Sequence, residues 1–275
     1  MLSGTPFLLI ETLTMRNHKT FISTLMVCSA VLLPTIPLQA QLKTSLAVGL
    51  DYSTGQYGAT SSTEIWYLPF VLKVETSKLV YKFTLPYLQI TGPGNVIGVD
   101  AAPGSGGSAI TTETGLGDIV TAVSYSVLPY QAKRVLLDIT GKIKFPTADK
   151  TRALGTGEND YSIQADGFYT VSRLSTFGSI GYKLYGDPPG VDYRNVLFYS
   201  IGGVYSLSDT TGIGVVYDYR QATTQNGTDP QEVTFFTSKK LLKNKKMLAY
   251  LVKGFSQGSP EWGIGIKMSY VLTGG

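Results

Sequence analysis

Cysteine and histidine are almost missing from this sequence, with one residue of each, Cys28 and His18, both within the first forty positions. If that segment is removed, the rest of the chain has no thiol and no imidazole. Disulfides, a Ser-His-Asp triad, a histidine or cysteine zinc site and a histidine haem ligand are then excluded. Charged residues make up only 15% of the chain. No basic block stands out among them, so nucleic acid is not an expected partner.

Residues 1–40 have the organisation of a secretory signal peptide. A positive region, an apolar run and a small-residue cleavage site follow in order, at Arg16 with Lys19, at 21–36, and at Ala40 before Gln41. The apolar run is short for a membrane helix. Because the positive region directly follows Met15, we expect translation to start there. The mature chain is predicted to cover 41–275.

A lipoprotein cleaved before Cys28 is the alternative for this segment. Lipoprotein signals carry a small Gly or Ala just before the cysteine, whereas this chain has Val27. A conventional cleavage site also lies downstream. The signal-peptide interpretation is therefore preferred.

After residue 41, apolar residues alternate with polar or small ones at every second position. One such row is Leu79, Tyr81, Phe83, Leu85 and Tyr87, and similar rows occur within 134–146 and 261–272. Successive side chains of a strand point to opposite faces, so this period predicts strands with one apolar and one polar face. No stretch after the signal has about 20 consecutive apolar residues, so no helical span is predicted.

Turn signals divide this part of the chain into about twelve strands. They are placed near 43–53, 62–75, 78–92, 115–129, 134–146, 160–172, 174–186, 194–208, 211–222, 230–240, 246–257 and 261–272. Short connectors alternate with long ones rich in Gly, Pro, Asn, Ser or Thr, led by 93–114. Most of these strands exceed the 9–11 residues that a tilted barrel strand needs to cross a bilayer. The fold class predicted is all-β, a single antiparallel transmembrane β-barrel with short periplasmic turns and longer external loops, in the bacterial outer membrane.

Aromatic residues near strand ends suggest belts at the two membrane surfaces. They are Trp66, Tyr67, Tyr87, Tyr125, Tyr130, Tyr169, Tyr185, Tyr199, Tyr217, Tyr219 and Trp262. The last strand, with Gly265, Met268 and Tyr270, resembles the C-terminal signal of outer-membrane proteins. Outer-membrane lipid and the insertion machinery are therefore the expected partners, together with a small solute of unknown identity.

The polar face of the strands is predicted to line the lumen. Its charged members, beside Glu64 or its neighbours, are Lys82, Asp118, Asp138, Lys142, Lys144, Asp166, Lys183, Arg194, Asp218, Arg220, Glu232 and Lys267. Charges inside a narrow barrel are costly unless paired or hydrated. One interpretation is a network of ion pairs that braces the barrel, and the other is a lining that sorts solutes by charge. Both roles are compatible in one protein.

No enzyme, metal or cofactor is predicted. The Gly-rich tract at 92–107 lacks the Lys-Ser/Thr ending of a phosphate loop, and no helix pattern follows it. Asp138 and Asp166 lie on adjacent predicted strands, which leaves a carboxylate pair open in principle. An ion pair with Lys142 or Lys144 is the simpler interpretation of these residues.

Three segments resemble a family named for the meta-cleavage pathway of phenol degradation. They are Gly115-Leu116-Gly117-Asp118-Ile119, then 141–147 with the sequence Gly-Lys-Ile-Lys-Phe-Pro-Thr, and 154–161 with Leu-Gly-Thr-Gly-Glu-Asn-Asp-Tyr. The resemblance is densest from about 115 to 170. It implies an outer-membrane barrel for passive uptake of small compounds, including aromatic or hydrophobic ones, and it supplies no catalytic residues.

Three hypotheses for function follow. The first is a channel or facilitator for passive uptake of small solutes. The second is a non-conducting structural or surface-interaction barrel that displays its external loops, motivated by the long segment 93–114. The third is a soluble secreted β-protein, in which the apolar faces of the strands would pack against each other.

Overall fold

The computed structural model describes residues 42–94, 96–98, 102–103, 109–128 and 134–273. The predicted signal peptide, its cleavage between Ala40 and Gln41, the aromatic Tyr130 and the predicted turn at 131–133 lie outside the described residues.

Strands make up nearly all of the described chain. They are β1 (Lys43–Gly55), β2 (Thr63–Glu75), β3 (Leu79–Pro93), β4 (Val96–Ile97), β5 (Ala102–Pro103), β6 (Ile110–Leu116), β7 (Ile119–Leu128), β8 (Val135–Phe145), β9 (Asp160–Val171), β10 (Leu174–Leu184), β11 (Val196–Ser206), β12 (Thr211–Arg220), β13 (Gln231–Leu242), β14 (Lys245–Gly254) and β15 (Trp262–Thr273). One 3-10 turn, η1 (Lys150–Arg152), lies between β8 and β9. Among the described residues, no helix is both long and apolar enough to cross a membrane.

The strands form one closed antiparallel barrel. Thirteen of them join a single sheet, and the pairing of β2 with β3 closes it. Both β6 and β7 pair with β3, one after the other, so together they fill one position of the wall. The wall therefore has twelve positions, which confirms the predicted barrel and its strand number. Closure pairs the wall strands with one another, so that in the described part of the membrane-spanning wall their amides do not meet lipid unpaired.

The fourth wall position differs from the prediction of one strand over 115–129. The strand begins earlier, at Ile110, because the β-branched residues 110–112 pair with the end of β3, where a loop was expected. It is then interrupted at Gly117 and Asp118. There the Gly117 amide donates to the Pro86 carbonyl at 2.9 Å. The interruption turns Asp118 away from the strand ladder and towards the loop between β8 and β9.

Connectors of two lengths alternate around the barrel, as predicted. Short ones are at 76–78, 172–173, 207–210 and 243–244, and long ones are at 56–62, 94–109, 146–159, 185–195, 221–230 and 255–261. All long loops lie at one end, which for this class of barrel is the external end. The N-terminal end of β1 and the C-terminal end of β15 lie at the same end of the barrel as the short turns.

The exterior of the barrel is apolar. The row from Leu79 to Tyr87 points outwards, with Tyr81, Phe83 and Tyr87 between 40% and 43% exposed. Residues of the same strands with opposite parity, such as Thr84 and Leu88, are buried inside. An apolar outer face of this length is stable only against hydrocarbon, so the barrel spans the bacterial outer membrane and its surroundings are lipid. The soluble hypothesis, which needed these rows in a protein core, is wrong.

Outward-facing aromatic rings pair near the external strand ends. The rings of Tyr199 and Tyr219 stack at 4.9 Å between centroids, and those of Tyr52 and Trp66 lie 4.8 Å apart. Two residues predicted for these belts do not face lipid. Tyr67 packs against an internal apolar cluster, and Tyr185 is buried in the loop after β10, because each has the inward parity of its strand.

Candidate functional site

Lysines of four strands form a continuous row along the inner wall. Cross-strand register places Lys73 opposite Lys82, Ala122 between Lys82 and Lys142, and Ser162 between Lys142 and Lys183. Lys73 lies near the short-turn end of β2, whereas Lys183 is one residue from the long-loop end of β10. Because barrel strands tilt, a row of register partners climbs the wall. This lysine row therefore runs from the periplasmic mouth to the external mouth.

A second row of register partners carries carboxylates. Its members, in order around the wall, are Ser126, Asp138, Asp166, Ser179, Ser200, Asp218 and Glu232. On β8 this acidic row lies four residues from the lysine row, with Thr140 between them on the same face. Two tracks of opposite charge thus run side by side up the lumen. An electric field between such tracks acts on any charged solute in the lumen.

Hydrogen bonds hold the carboxylate of Asp166 in place. The Thr140 hydroxyl donates to its Oδ2 at 3.0 Å, and the Gln164 amide donates to its Oδ1 at 2.6 Å. The neighbouring Asp138 carboxylate lies directly opposite across β8 and β9. In the described part of the chain, no group of three or more potential ligands is placed to hold a metal ion.

A layer of apolar side chains, which we call the apolar belt, climbs the inner wall from the periplasmic end of β8 to the external half of β14. It consists of Leu136, Phe168, Phe177, Val204, Val216, Phe236, Leu248, Tyr250 and Val252, all buried and all facing inwards from β8 to β14. The sequence pattern missed this belt because the prediction assigned every apolar row to lipid. In a narrow barrel, inward side chains also fill space, so apolar residues occur on both faces there.

Aromatic rings of the belt lie flat against glycines on the neighbouring strand. Phe177 faces Gly202, and Phe236 faces Gly214. At Gly265, an added Cβ would overlap the ring end of Tyr250 and the carboxylate of Asp51. These glycines keep the rings along the wall, where a side chain would force them into the lumen.

Replacing Gly265 with alanine is expected to push Tyr250 into the lumen and to lower the unfolding free energy by about 1–3 kcal/mol, the usual cost of overpacking. The measurement is urea unfolding in lipid vesicles, followed by tyrosine and tryptophan fluorescence. Gly167→Ala is the matched control, since nothing lies within 4 Å of its added Cβ. It should change stability by no more than about 0.5 kcal/mol. Equal effects of both variants would contradict this account.

Ion pairs connect the strands near the external mouth. The Lys144 ammonium lies 3.2 Å from Asp118 Oδ2 and 3.2 Å from Asp160 Oδ2. The Lys183 ammonium lies 3.1 Å from the same Asp160 oxygen. Asp160 is 2% exposed, so its charge depends on these two lysines. The Lys144 ammonium also donates to the Thr156 hydroxyl at 2.8 Å, which ties the loop at 146–159 to the network.

The loop at 146–159 folds against the inside of the mouth. The Ala148 amide donates to Asp118 Oδ1 at 3.0 Å, and an added Cβ at Gly155 would meet both oxygens of that carboxylate at 2.7 Å. Leu154, 2% exposed, packs in an internal cluster with Leu88 of β3. The loop therefore narrows the external entrance on the side of β2 and β3.

Hydrogen bonds within this loop shape its short helical turn. The Thr151 hydroxyl donates to Asp149 Oδ1 at 2.6 Å and holds the pKa of that carboxyl below its usual range. The Arg152 guanidinium donates to Glu113 Oε2 at 2.8 Å. These contacts anchor the outer part of the loop to β6.

Eleven of the twelve charged residues predicted for the lumen belong to the inner face or to the external network. Those on inward-facing strand positions are Lys82, Asp138, Lys142, Lys144, Asp166, Lys183, Asp218, Arg220, Glu232 and Lys267, and Asp118 lies in the strand interruption. Arg194 differs from the prediction. It is exposed in the loop at 185–195, because β11 begins at Val196 and not at 194.

Several charged residues of the inner face were missed by the sequence analysis. They are Lys43, Asp51, Lys73, Glu75, Asp160, Lys240 and Lys246. Most of them could have been found from the alternating pattern, since each lies an even number of positions from an inward-facing residue of its own strand.

Comparisons with known proteins support the fold. The structure is similar to an outer membrane channel of Pseudomonas putida F1, with a TM-score of 0.64 and 15% identity over 86% of this chain and 97% of that chain. It is also similar to the NanC porin, with a TM-score of 0.53 and 10% identity over 82% of this chain and 100% of that one. No protein-family model and no curated protein matches the chain. The resemblance to the phenol-degradation family stays a prediction.

Proposed function

We propose that this barrel is a passive channel for small solutes across the outer membrane. The observation that carries the proposal is the partial solvent exposure of inward-facing charged side chains towards both ends of the closed wall. Lys82 and Lys240 near the periplasmic mouth and Asp218 near the external mouth are all partly exposed. Side chains on the inner face of a closed wall meet water through the lumen, so water enters this barrel from both mouths.

The apolar belt supports the proposal that small hydrophobic or aromatic compounds are among the solutes. Its rings and aliphatic side chains make part of the inner wall apolar, beside the charged rows. A solute with an apolar body loses less hydration on passing such a surface than on passing a lining of charges alone.

Planar-bilayer recording of the refolded protein is the direct test. Stable single-channel steps are expected, and boiled protein serves as the control. Only silent membranes, at protein densities where gel migration shows folded barrels, would overturn the proposal.

The second candidate is a non-conducting structural or surface-interaction barrel that displays its loops. The observation in its favour is the tight interior beside β8 and β9, where Thr140, Asp160 and Gln164 are 1–2% exposed. Deleting residues 148–157 distinguishes the two candidates. A channel should show higher conductance after this deletion, whereas a display barrel should stay silent.

A further inference from the structure

A cluster of like charges lies inside the periplasmic mouth. The charged groups that act on the Lys246 ammonium are those of Lys43, Lys73, Lys240 and Glu75. Four ammonium groups therefore lie around the carboxylate of Glu75. Glu75 Oε2 lies 3.5 Å from the Lys43 ammonium, and Glu75 Oε1 lies 3.3 Å from the Lys73 ammonium. The Glu75 carboxylate is therefore already in ion pairs with two other lysines. We call these five residues the lysine cluster.

Within the lysine cluster, Lys246 is the residue whose burial is not compensated by a hydrogen bond from the described residues. Its Nζ is buried and has no hydrogen-bond partner among the described residues. Its register partner on β13 is Lys240, another cation. Like charges directly opposite each other destabilise a sheet, and a buried ammonium without a partner is costly. An anion bound between them would remove both costs.

The inner wall between the lysines carries small side chains. Going round the wall from Lys246, the inward residues are Ser269 on β15 and Ala47 on β1, and Ser45 lies opposite Lys73. These side chains are small, so little side-chain volume lines the wall between the long lysines on either side. The two hydroxyl groups also offer hydrogen-bond donors to an oxyanion.

One side of the lysine cluster is apolar. Leu248 is the next inward residue after Lys246 on β14, and it belongs to the apolar belt. Tyr250 follows it on the same face. A ligand with its charge among the lysines would therefore place an attached apolar group against the belt.

From this arrangement we infer that the lysine cluster is a binding site for a small organic anion, a carboxylate with an apolar body. The inference rests on the proposed channel, and it names the class of solute that this channel takes. The carboxylate lies between Lys246 and Lys240, and the apolar body lies along Leu248. The site then acts as a binding station at the periplasmic end of the lysine row.

Calorimetric titration of the refolded protein in a zwitterionic detergent tests the site with two probes, benzoate and its neutral analogue benzamide. Benzoate is expected to bind at least about tenfold more tightly than benzamide, since a hydrogen bond to a charged group supplies that difference or more. Lys246→Gln should remove this preference, whereas Lys246→Arg should retain it. Lys245→Gln is the matched control, because Lys245 faces lipid on the same strand and packs over Tyr270. Acetate should bind more weakly than benzoate, since it lacks the apolar body.

The outcomes separate this site from the channel proposal, because binding constants do not depend on current. Equal affinity for benzoate and benzamide would overturn the site, whether or not the barrel conducts. An equal loss of benzoate affinity in Lys245→Gln and Lys246→Gln would also overturn it. A silent barrel that keeps the charge preference would retain the site and disprove the channel. Gel migration without boiling verifies that each variant is folded.

Discussion

Replacing Lys144 with methionine is expected to lower the free energy of unfolding by about 3–5 kcal/mol, the cost of removing one partner from a buried ion pair. The lysine serves two carboxylates at once, at 3.2 Å from each. Asp160 keeps Lys183 as a partner, whereas Asp118 keeps only the Ala148 amide among the contacts that hold it. The loss therefore falls mainly on Asp118. Urea unfolding of the protein in lipid vesicles measures the change.

Two controls make the Lys144 result specific. Lys144→Arg keeps the charge and should recover most of the stability. Lys78→Met removes a lysine from an exposed periplasmic turn and should change stability by about 0.5 kcal/mol or less. A Lys144→Met protein as stable as Lys78→Met would show that the external network contributes nothing to stability. The loop at 146–159 should also become more sensitive to protease in Lys144→Met, because Lys144 holds it through Thr156.

Period-two alternation was sufficient to predict the strands because lipid imposes a strict rule on one face of each strand. Every outward side chain in the hydrocarbon must be apolar, so a row such as Leu79 to Tyr87 is a strong local signal. The turn signals then gave the number of strands and the alternation of short and long connectors. The signal was weaker where no such rule applies. Residues 111–114 are polar strand residues beyond the hydrocarbon, and they resembled a loop.

The candidate site was only partly predictable, since it depends on register between strands. The alternation shows that Lys82 and Lys142 face inwards, but not that one residue, Ala122, separates them across the wall. Register is set by turn geometry and by irregularities such as the shift between Lys240 and Leu242. A single sequence does not encode these in any local pattern. The apolar belt was hidden for a related reason, because Leu136 and Leu137 are both apolar and only the parity of the strand separates lumen from lipid.

Cross-strand register also arranges the scattered inward-facing charges into two rows, the lysine row and the acidic row. In the acidic row, Asp166 is held by two side-chain hydrogen bonds, so it braces the wall. In the lysine row, Lys142 lies 6.0 Å from the centre of the Phe198 ring and remains partly exposed to the lumen. Lys82 of the same row is also partly exposed. Replacing these two lysines should therefore change selectivity more than stability.

Replacing Lys82 and Lys142 together with glutamine is expected to lower the anion-to-cation permeability ratio by about tenfold. A unit charge about 8 Å from an ion in water contributes roughly 0.5 kcal/mol, with opposite sign for anions and cations. Two lysines would then change the ratio by about thirtyfold, and screening by salt reduces the change to about tenfold. The measurement is the reversal potential in a potassium chloride gradient across a planar bilayer.

The matched control is Lys239→Gln with Lys245→Gln, which removes the same charge from exposed positions on the outer face. If the control pair shifted the reversal potential as far, net charge and not the lysine row would govern selectivity. If neither pair shifted it, ions would pass through the barrel without meeting this row.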